Sequence, residues 1–170
     1  MKRKNAGALT LATLLAFGSS ATACPLARLA RIANEPLTSL RHQGRAVTQR
    51  ESTEGGHWDI YLRSDGTLHS IIRRDFGETG QYRARASFLT KDDFVIITTI
   101  VSYTSPISPE RPVEIASTTS TPYFFCKDVV YIPAMMSDES SSTQSLIEAR
   151  RLKSEFFESS DVASYLRKIK

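Results

Sequence analysis

The sequence is poor in the residues that most often carry chemistry. It has two cysteines and three histidines in 170 residues. The histidines, His42, His57 and His69, show no recognisable metal-ligand spacing. The chain contains no G-x-S-x-G, H-E-x-x-H or S-x-x-K motif and no glycine-rich phosphate loop. We therefore find no support for the common hydrolase, metalloprotease or nucleotide-binding classes, and we expect no metal and no cofactor.

The sequence also lacks an apolar run long enough to cross a bilayer. Its longest such run, residues 6–17, falls short of the ~20 residues that a membrane-spanning helix requires. Cations at positions 2–4 precede the run, and Ala21-Thr22-Ala23 follows it as a small-residue cleavage site. This pattern predicts a signal peptide at 1–23, cleaved after Ala23 or Ala21, and a periplasmic or secreted bacterial protein. An uncleaved anchor is the alternative.

The excess of basic residues almost disappears without this segment. The whole chain has 22 Lys+Arg and 18 Asp+Glu, and the predicted signal peptide holds three of the cations and no acid. The remainder has 19 cations against 18 anions, a net charge of +1. Nucleic-acid binding needs a strongly basic surface, so that class of partner is excluded. The 147 residues that follow position 23 are enough for one domain.

The two cysteines, Cys24 and Cys126, admit two interpretations. In an oxidising compartment they predict a disulfide, and closing a loop of about 100 residues would stabilise the fold by roughly 4–5 kcal/mol. Alternatively, Cys24 carries a lipid and the protein is an outer-membrane lipoprotein. A lipidation motif normally has a bulky apolar residue three positions before the cysteine, where this chain has Ala21, and Pro25 is atypical after it. We favour the disulfide; a chain with neither modification is the third option.

Alternation of apolar and polar residues dominates the middle of the chain and predicts strands. The candidates are 58–63, 67–75, 81–89, 94–103, 113–117 and 123–132. We predict an α+β fold, an antiparallel β-meander of five to six strands packed against C-terminal helices, with a short N-terminal helix. The run Phe94–Tyr103 is apolar, Thr or Ser throughout, which is typical of a strand covered on both faces.

Helical spacing appears at both ends of this strand region. Pro25–Ala33 predicts the N-terminal helix, and Leu146, Ala149, Leu152 and Phe156 form one face of a C-terminal helix. We expect the C-terminal helices to provide the second cover of Phe94–Tyr103. The domain then divides into an N-terminal helix and connection (24–45), the sheet (46–136), and a serine-rich linker with C-terminal helices (137–170).

Loop lengths predict how the strands pair. A three-residue Ser64-Asp65-Gly66 loop would pair Leu62 with Leu68 and Trp58 with Ile72. It would gather one apolar face from Trp58, Ile60, Leu62, Leu68 and Ile72. A five-residue loop at 76–80 would then pair Ile72 with Ala84 and Arg73 with Arg83.

The opposite face of this predicted sheet carries our candidate binding residues, Tyr61, Arg63, His69, Arg73, Arg83 and Arg85. Arg73 directly opposite Arg83 would be a repulsive cross-strand pair, which an anion or acidic partner would relieve. Arginine forks suit carboxylate or phosphate. The sequence therefore favours a non-catalytic binding module whose partner is an unknown anionic ligand or a protein of the envelope. The alternative for this face is a solvated surface with no partner.

Two further functions stay open. An envelope hydrolase would use His57 with Asp59, or Asp75 with Glu78, as acid–base pairs. A structural or assembly component of the envelope, possibly a lipoprotein, is the other alternative, and membrane attachment is expected only if Cys24 is lipidated. The scarcity of catalytic motifs leans against an enzyme.

Overall fold

A computed structural model describes residues 24–48, 54–127, 129–133, 139–158 and 162–167. The predicted signal peptide, 1–23, lies outside these residues. The chain forms helix α1 (Leu26–Ala33), a 3₁₀ turn (Leu37–Ser39), seven strands and helices α2 (Glu139–Glu158) and α3 (Ala163–Leu166). The strands are β1 (Arg41–Thr48), β2 (Gly56–Leu62), β3 (Leu68–Gly77), β4 (Gly80–Phe88), β5 (Asp93–Tyr103), β6 (Ile115–Cys126) and β7 (Val129–Tyr131).

The strands form one antiparallel sheet in the order β1 to β7. The predicted α+β class is therefore confirmed, whereas the strand number is seven rather than five to six. Sequence patterning missed β1 because its sequence, RHQGRAVT, has few apolar residues to alternate. Residues 118–122, which we left between two predicted strands, continue β6 without interruption, since the threonines there favour extended backbone.

Helix α2 covers one face of the sheet, which we call the helix face. Ala149, Leu152 and Phe156 are fully buried there, and the Phe156 ring meets Trp58 edge to face with centroids 5.1 Å apart. The strands contribute the rest of this core, including Ile60, Leu62, Ile71, Phe88, Phe94, Ile96 and Phe125. Because α2 begins at Glu139, residues 139–143 of the predicted serine-rich linker are helical.

Helix α1 covers the opposite face, but only at one end. Its Leu29 and Ile32 form a second buried cluster with Val95 of β5 and Cys126 of β6. The predicted Cys24–Cys126 disulfide is present and ties the start of α1 to this strand. The second cover of β5 thus comes from the N-terminal helix, not from the C-terminal helices as we expected.

Strand pairing follows one loop prediction and departs from the other. Leu62 pairs with Leu68 as predicted, but a bulge beside this pair shifts the register, so that Trp58 faces Arg73 instead of Ile72. The β3–β4 turn is also shorter than expected, because Gly77 pairs with Gly80.

At the start of β4, Gly80 lies so close to the Val101 carbonyl of β5 that a Cβ would not fit there. With the bulge in the β2–β3 pairing and the shorter β3–β4 turn, Arg83 pairs with Arg74, and Arg73 pairs with Ala84. Since side chains alternate between faces, Arg73 is moved to the helix face, opposite to our prediction.

Candidate functional site

The part of the sheet opposite the helix face that α1 leaves uncovered carries a cluster of arginines, which we call the arginine face. It consists of Arg45 from β1, Asp59 and Tyr61 from β2, Arg74 from β3, and Arg83 and Arg85 from β4. Cross-strand pairing brings Arg45 opposite Asp59 and Arg74 opposite Arg83. Four arginines and one carboxylate therefore occupy adjacent positions on four neighbouring strands.

Asp59 is the centre of this face and is only 1% exposed. Its Oδ1 accepts a 2.8 Å hydrogen bond from Arg45 Nε and lies 3.2 Å from His42 Nε2. Its Oδ2 accepts a hydrogen bond from Arg74 and lies 3.2 Å from His57 Nε2. The carboxylate thus has four basic side chains around it, and the guanidiniums of Arg45 and Arg74 neutralise its charge.

The electrostatics of Asp59 follow from these contacts. Burial raises the pKa of its carboxyl, but the hydrogen bonds from Arg45 and His42 and the charge of Arg74 outweigh burial and lower the pKa to about 2. The pKa of His57 is lowered, mainly because burial disfavours its cationic form. At neutral pH the site therefore holds an ionised Asp59 beside a neutral His57.

Among the described residues, neither Arg83 nor Arg85 forms an ion pair with an acidic side chain. Arg85 donates to the Glu35 backbone carbonyl at 2.9 Å and to Ser87 Oγ at 3.1 Å. Arg83 makes no hydrogen bond or ion pair within the part of the chain that the structure describes. Partial burial, and then the positive charge of Arg74, lower the pKa of Arg83. This local excess of positive charge is what an anion would neutralise.

Of our six candidate residues, Tyr61, Arg83 and Arg85 lie on the arginine face. Arg63 instead holds the β2–β3 hairpin, because its guanidinium donates to the Leu68 carbonyl at 2.8 Å and to the Phe88 carbonyl. These two carbonyl contacts give Arg63 a structural role.

His69, also a candidate, is 1% exposed and lies on the same side of the sheet as the arginine face. Its Nε2 lies 2.9 Å from a Glu35 carboxylate oxygen and its Nδ1 lies 2.7 Å from Ser70 Oγ. Burial lowers the pKa of His69. The histidine thus ties the chain after α1 to β3 rather than facing solvent.

Arg73 is the candidate whose predicted position is wrong. It is 4% exposed on the helix face, where its Nη2 lies 2.6 Å from Asp75 Oδ2 and its guanidinium also pairs with Glu155 of α2. Its guanidinium carbon lies 5.7 Å from the Trp58 ring centroid and 5.5 Å from that of Tyr82. The predicted Arg73–Arg83 pair does not exist. In the observed β3–β4 register, Arg74 takes the position opposite Arg83.

The two predicted acid–base pairs differ in their surroundings. His57 and Asp59 do meet, as described, but the arginines occupy both oxygens of Asp59. Asp75 is buried against Arg73 on the helix face, whereas Glu78 is exposed in the β3–β4 turn, where its backbone carbonyl accepts from Ile107.

Sequence reasoning missed three basic residues of this site, Arg45, Arg74 and His42. Arg45 and His42 belong to β1, which we did not predict. Arg74 was assigned to the other face by the register error. The adjacent Arg73-Arg74 pair was a usable signal, because in any strand one of two neighbouring arginines must point to each face.

The chain matches no family model, no curated protein and no solved structure. Among the described residues, no group of three or more His, Cys, Asp or Glu side chains is arranged to hold a metal ion. No helix within those residues is long and apolar enough to cross a membrane. The functional argument therefore rests on the arginine face itself.

Proposed function

We propose that this protein is an exported, non-catalytic binding module that takes an anionic ligand on its arginine face. The observation that carries the proposal is the cross-strand pairing of Arg83 with Arg74. Arg74 already bonds Asp59, and Arg83 has no acidic partner among the described residues. Like charges at directly opposite positions destabilise a sheet, and a bound anion removes that cost.

The chemistry of the face selects the ligand class. Guanidinium groups present paired N–H donors that match the two oxygens of a carboxylate or a phosphate. Asp59 is the single carboxylate within the face, and Arg45 and Arg74 neutralise it. Arg83, and the guanidinium nitrogen of Arg85 that bonds neither Glu35 nor Ser87, are the donors we assign to a ligand oxyanion.

Tyr61 adds an aromatic wall to this binding surface. It is half-buried on β2 beside His42, with ring centroids 5.2 Å apart. It is also near enough to Arg83 and Arg85 to influence the pKa of each. A ligand with a planar or apolar part next to its anionic group would use both the ring and the two guanidiniums.

The proposed export is supported by the disulfide. Disulfides persist in oxidising compartments and are rare in the bacterial cytosol, and the Cys24 sulfur bonded to Cys126 is not available to carry a lipid. The intact mass of the protein recovered from cells tests this part. Loss of the first 23 residues and a gain of two hydrogens on reduction are expected, whereas a diacylglycerol-sized increment would establish a lipoprotein.

Anion titration tests the binding site. Inorganic phosphate and citrate are titrated into the protein while backbone amide NMR shifts are followed. We expect saturable shifts in β3 and β4. Arg83→Gln should weaken binding by about tenfold or more, since a hydrogen bond to a charged group is worth roughly 1.5–3 kcal/mol.

The matched control for this titration is Arg150→Gln, which removes an exposed arginine from α2, away from the arginine face. Wild-type affinity in this variant is expected. Equal weakening by both substitutions would show that the anions respond only to net charge. Shifts scattered over the surface without saturation would likewise overturn the proposed site.

An envelope hydrolase is the second candidate, and the 3.2 Å contact between His57 and Asp59 is the observation that favours it. In that case the protein should release soluble fragments from isolated cell envelopes, and His57→Asn should abolish the release while Arg150→Gln, on the exposed side of α2, does not. No release above buffer with the wild-type protein would eliminate this candidate.

A further inference from the structure

The two edges of the sheet differ in how they are protected. An exposed edge strand is a template for pairing with another chain, and proteins block such edges with charges, bulges or short strands. Edge strand β1 has two of these protective features. It carries the charged residues Arg41 and Arg45, and a bulge after His42 interrupts it. These features disfavour pairing of the β1 edge with another chain.

The edge at β6 carries no charge, and its register with β5 shifts only at its start, between Ile115 and Ser117. Among the described residues, β7 pairs only with Phe124–Cys126, which leaves the residues before Tyr123 open on that side. Each residue from Ile115 to Ser120 is exposed. No charged residue occurs between Glu114 and Lys127, and the pairing of 117–126 with β5 is regular.

Apolar side chains surround this open edge. Ile115 is 62% exposed at the start of β6, and Ile100 of β5, directly opposite Thr119, is 54% exposed. Ile107 and Val113 in the β5–β6 connection are also about half exposed. Exposed apolar residues beside an unpaired strand are typical of an interaction surface.

We propose that the open segment of β6, residues 115–121, pairs antiparallel with the same segment of a second copy of this chain. The segment is uncharged, so two copies meet without like-charge repulsion, and its small Ser and Thr side chains let identical strands approach. Antiparallel pairing of identical strands is two-fold symmetric and self-complementary. The axis is perpendicular to the sheet, so Ile100, which pairs with Thr119 next to the central Thr118, lies close to the joint in both copies.

A second copy fits this edge better than an unrelated extended peptide. Peptide recognition by strand addition obtains its specificity from pockets for alternate side chains, and Ser117, Thr118, Thr119 and Ser120 offer flat, small surfaces instead. The joint is short compared with a standard interface, so we expect a reversible dimer that forms between micromolar and millimolar concentration.

Analytical ultracentrifugation of the disulfide-bonded protein over that concentration range tests the proposal. The weight-average mass should rise towards twice the monomer mass. Thr118→Lys, at the centre of the segment, should keep the protein monomeric because two lysines would face each other at the axis. Gln43→Lys places the same new charge on the exposed β1 edge and should dimerise as the wild type does.

Amide hydrogen exchange provides a second measurement that needs no variant. Amides within 115–121 that point away from β5 should exchange several-fold more slowly at high protein concentration than at low concentration, whereas amides of β1 should not change. A monomer throughout the range, or dimerisation that Thr118→Lys leaves intact, would overturn the proposal, and so would protection located elsewhere.

Discussion

Arg73 and Arg83 lie on the two faces of the same sheet, and their surroundings are opposite. On the helix face, Arg73 is enclosed by Asp75, Glu155 and two aromatic rings. On the arginine face, Arg83 lies across from another arginine and has no acid beside it in the described residues. The comparison separates a charge that helps hold a helix in place from a charge that no acid in the described residues neutralises.

The cover of the two faces differs in the same way. Helix α2 packs along the helix face through three fully buried side chains, Ala149, Leu152 and Phe156. Helix α1 is eight residues long, covers one end of the other face and is fastened by the disulfide. The arginine face is open because its cover is short, and the following predictions test this contrast from the largest effect to the smallest.

Replacing both cysteines by serine should have the largest effect on stability. The bridge links residues 102 positions apart, and the chain-entropy model assigns a loop of this length about 4–5 kcal/mol. Denaturant unfolding of the double variant and the wild type measures the loss. A loss below about 1 kcal/mol would mean that α1 docks without the bridge and that the two covers are equivalent.

Arg73→Met should destabilise the fold by about 3–5 kcal/mol, because it removes the cation that pairs with buried Asp75 and leaves Glu155, among the described residues, only Arg151, 3.4 Å away. Methionine retains most of the side-chain volume, so the loss reports charge rather than a cavity. Urea unfolding at neutral pH is the measurement. Arg83→Met, the same change on the arginine face, is the control and should cost far less.

Asp59→Asn should cost about 2 kcal/mol at neutral pH. The folded pKa of Asp59 is about 2 against an ordinary 3.8, and each unit of difference is worth about 1.4 kcal/mol. Because the folded pKa is the lower one, this stability is complete above the ordinary pKa and is lost as pH falls through about 2.

The stability difference between Asp59→Asn and the wild type should therefore shrink as unfolding is measured at successively lower pH across that range. Asp92→Asn is the comparison, since Asp92 is an exposed acid in the β4–β5 turn whose carboxylate forms no hydrogen bond or ion pair among the described residues. A difference for Asp59→Asn that is independent of pH would show that shape, and not charge, holds this carboxylate.

Arg83→Ala should have the smallest effect on stability. Without a ligand it removes repulsion with Arg74 and loses no acidic partner, so we expect a change within about 0.5 kcal/mol, on the stabilising side. With saturating phosphate the wild type should gain stability and the variant should not. A clear loss of stability without ligand would mean that Arg83 has a structural role like that of Arg73.

Much of the fold was accessible from sequence because it depends on local patterns. Alternation located five of the seven strands, and helical spacing located α1 and the buried face of α2. The pattern failed at β1, where the chain has almost no apolar residue to mark a strand, and in the middle of β6, where Ser and Thr are neither clearly buried nor clearly exposed.

The site was only partly accessible, because register determines which side chains share a face. Tyr61, Arg83 and Arg85 were placed correctly relative to the apolar face, but the bulge beside Leu62 exchanged the roles of Arg73 and Arg74. One extra residue in a strand reverses every later side chain. Local sequence carries little information about such a bulge.

The sequence by itself determined the α+β class, the Cys24–Cys126 bridge as the favoured pairing, and an arginine-rich strand region. Tertiary structure decided which arginine is buried, which is left without an acidic partner, and which helix covers each face. The physical reason is that periodicity is a property of neighbouring residues, whereas the partners of a charge come from strands and helices far away in the chain.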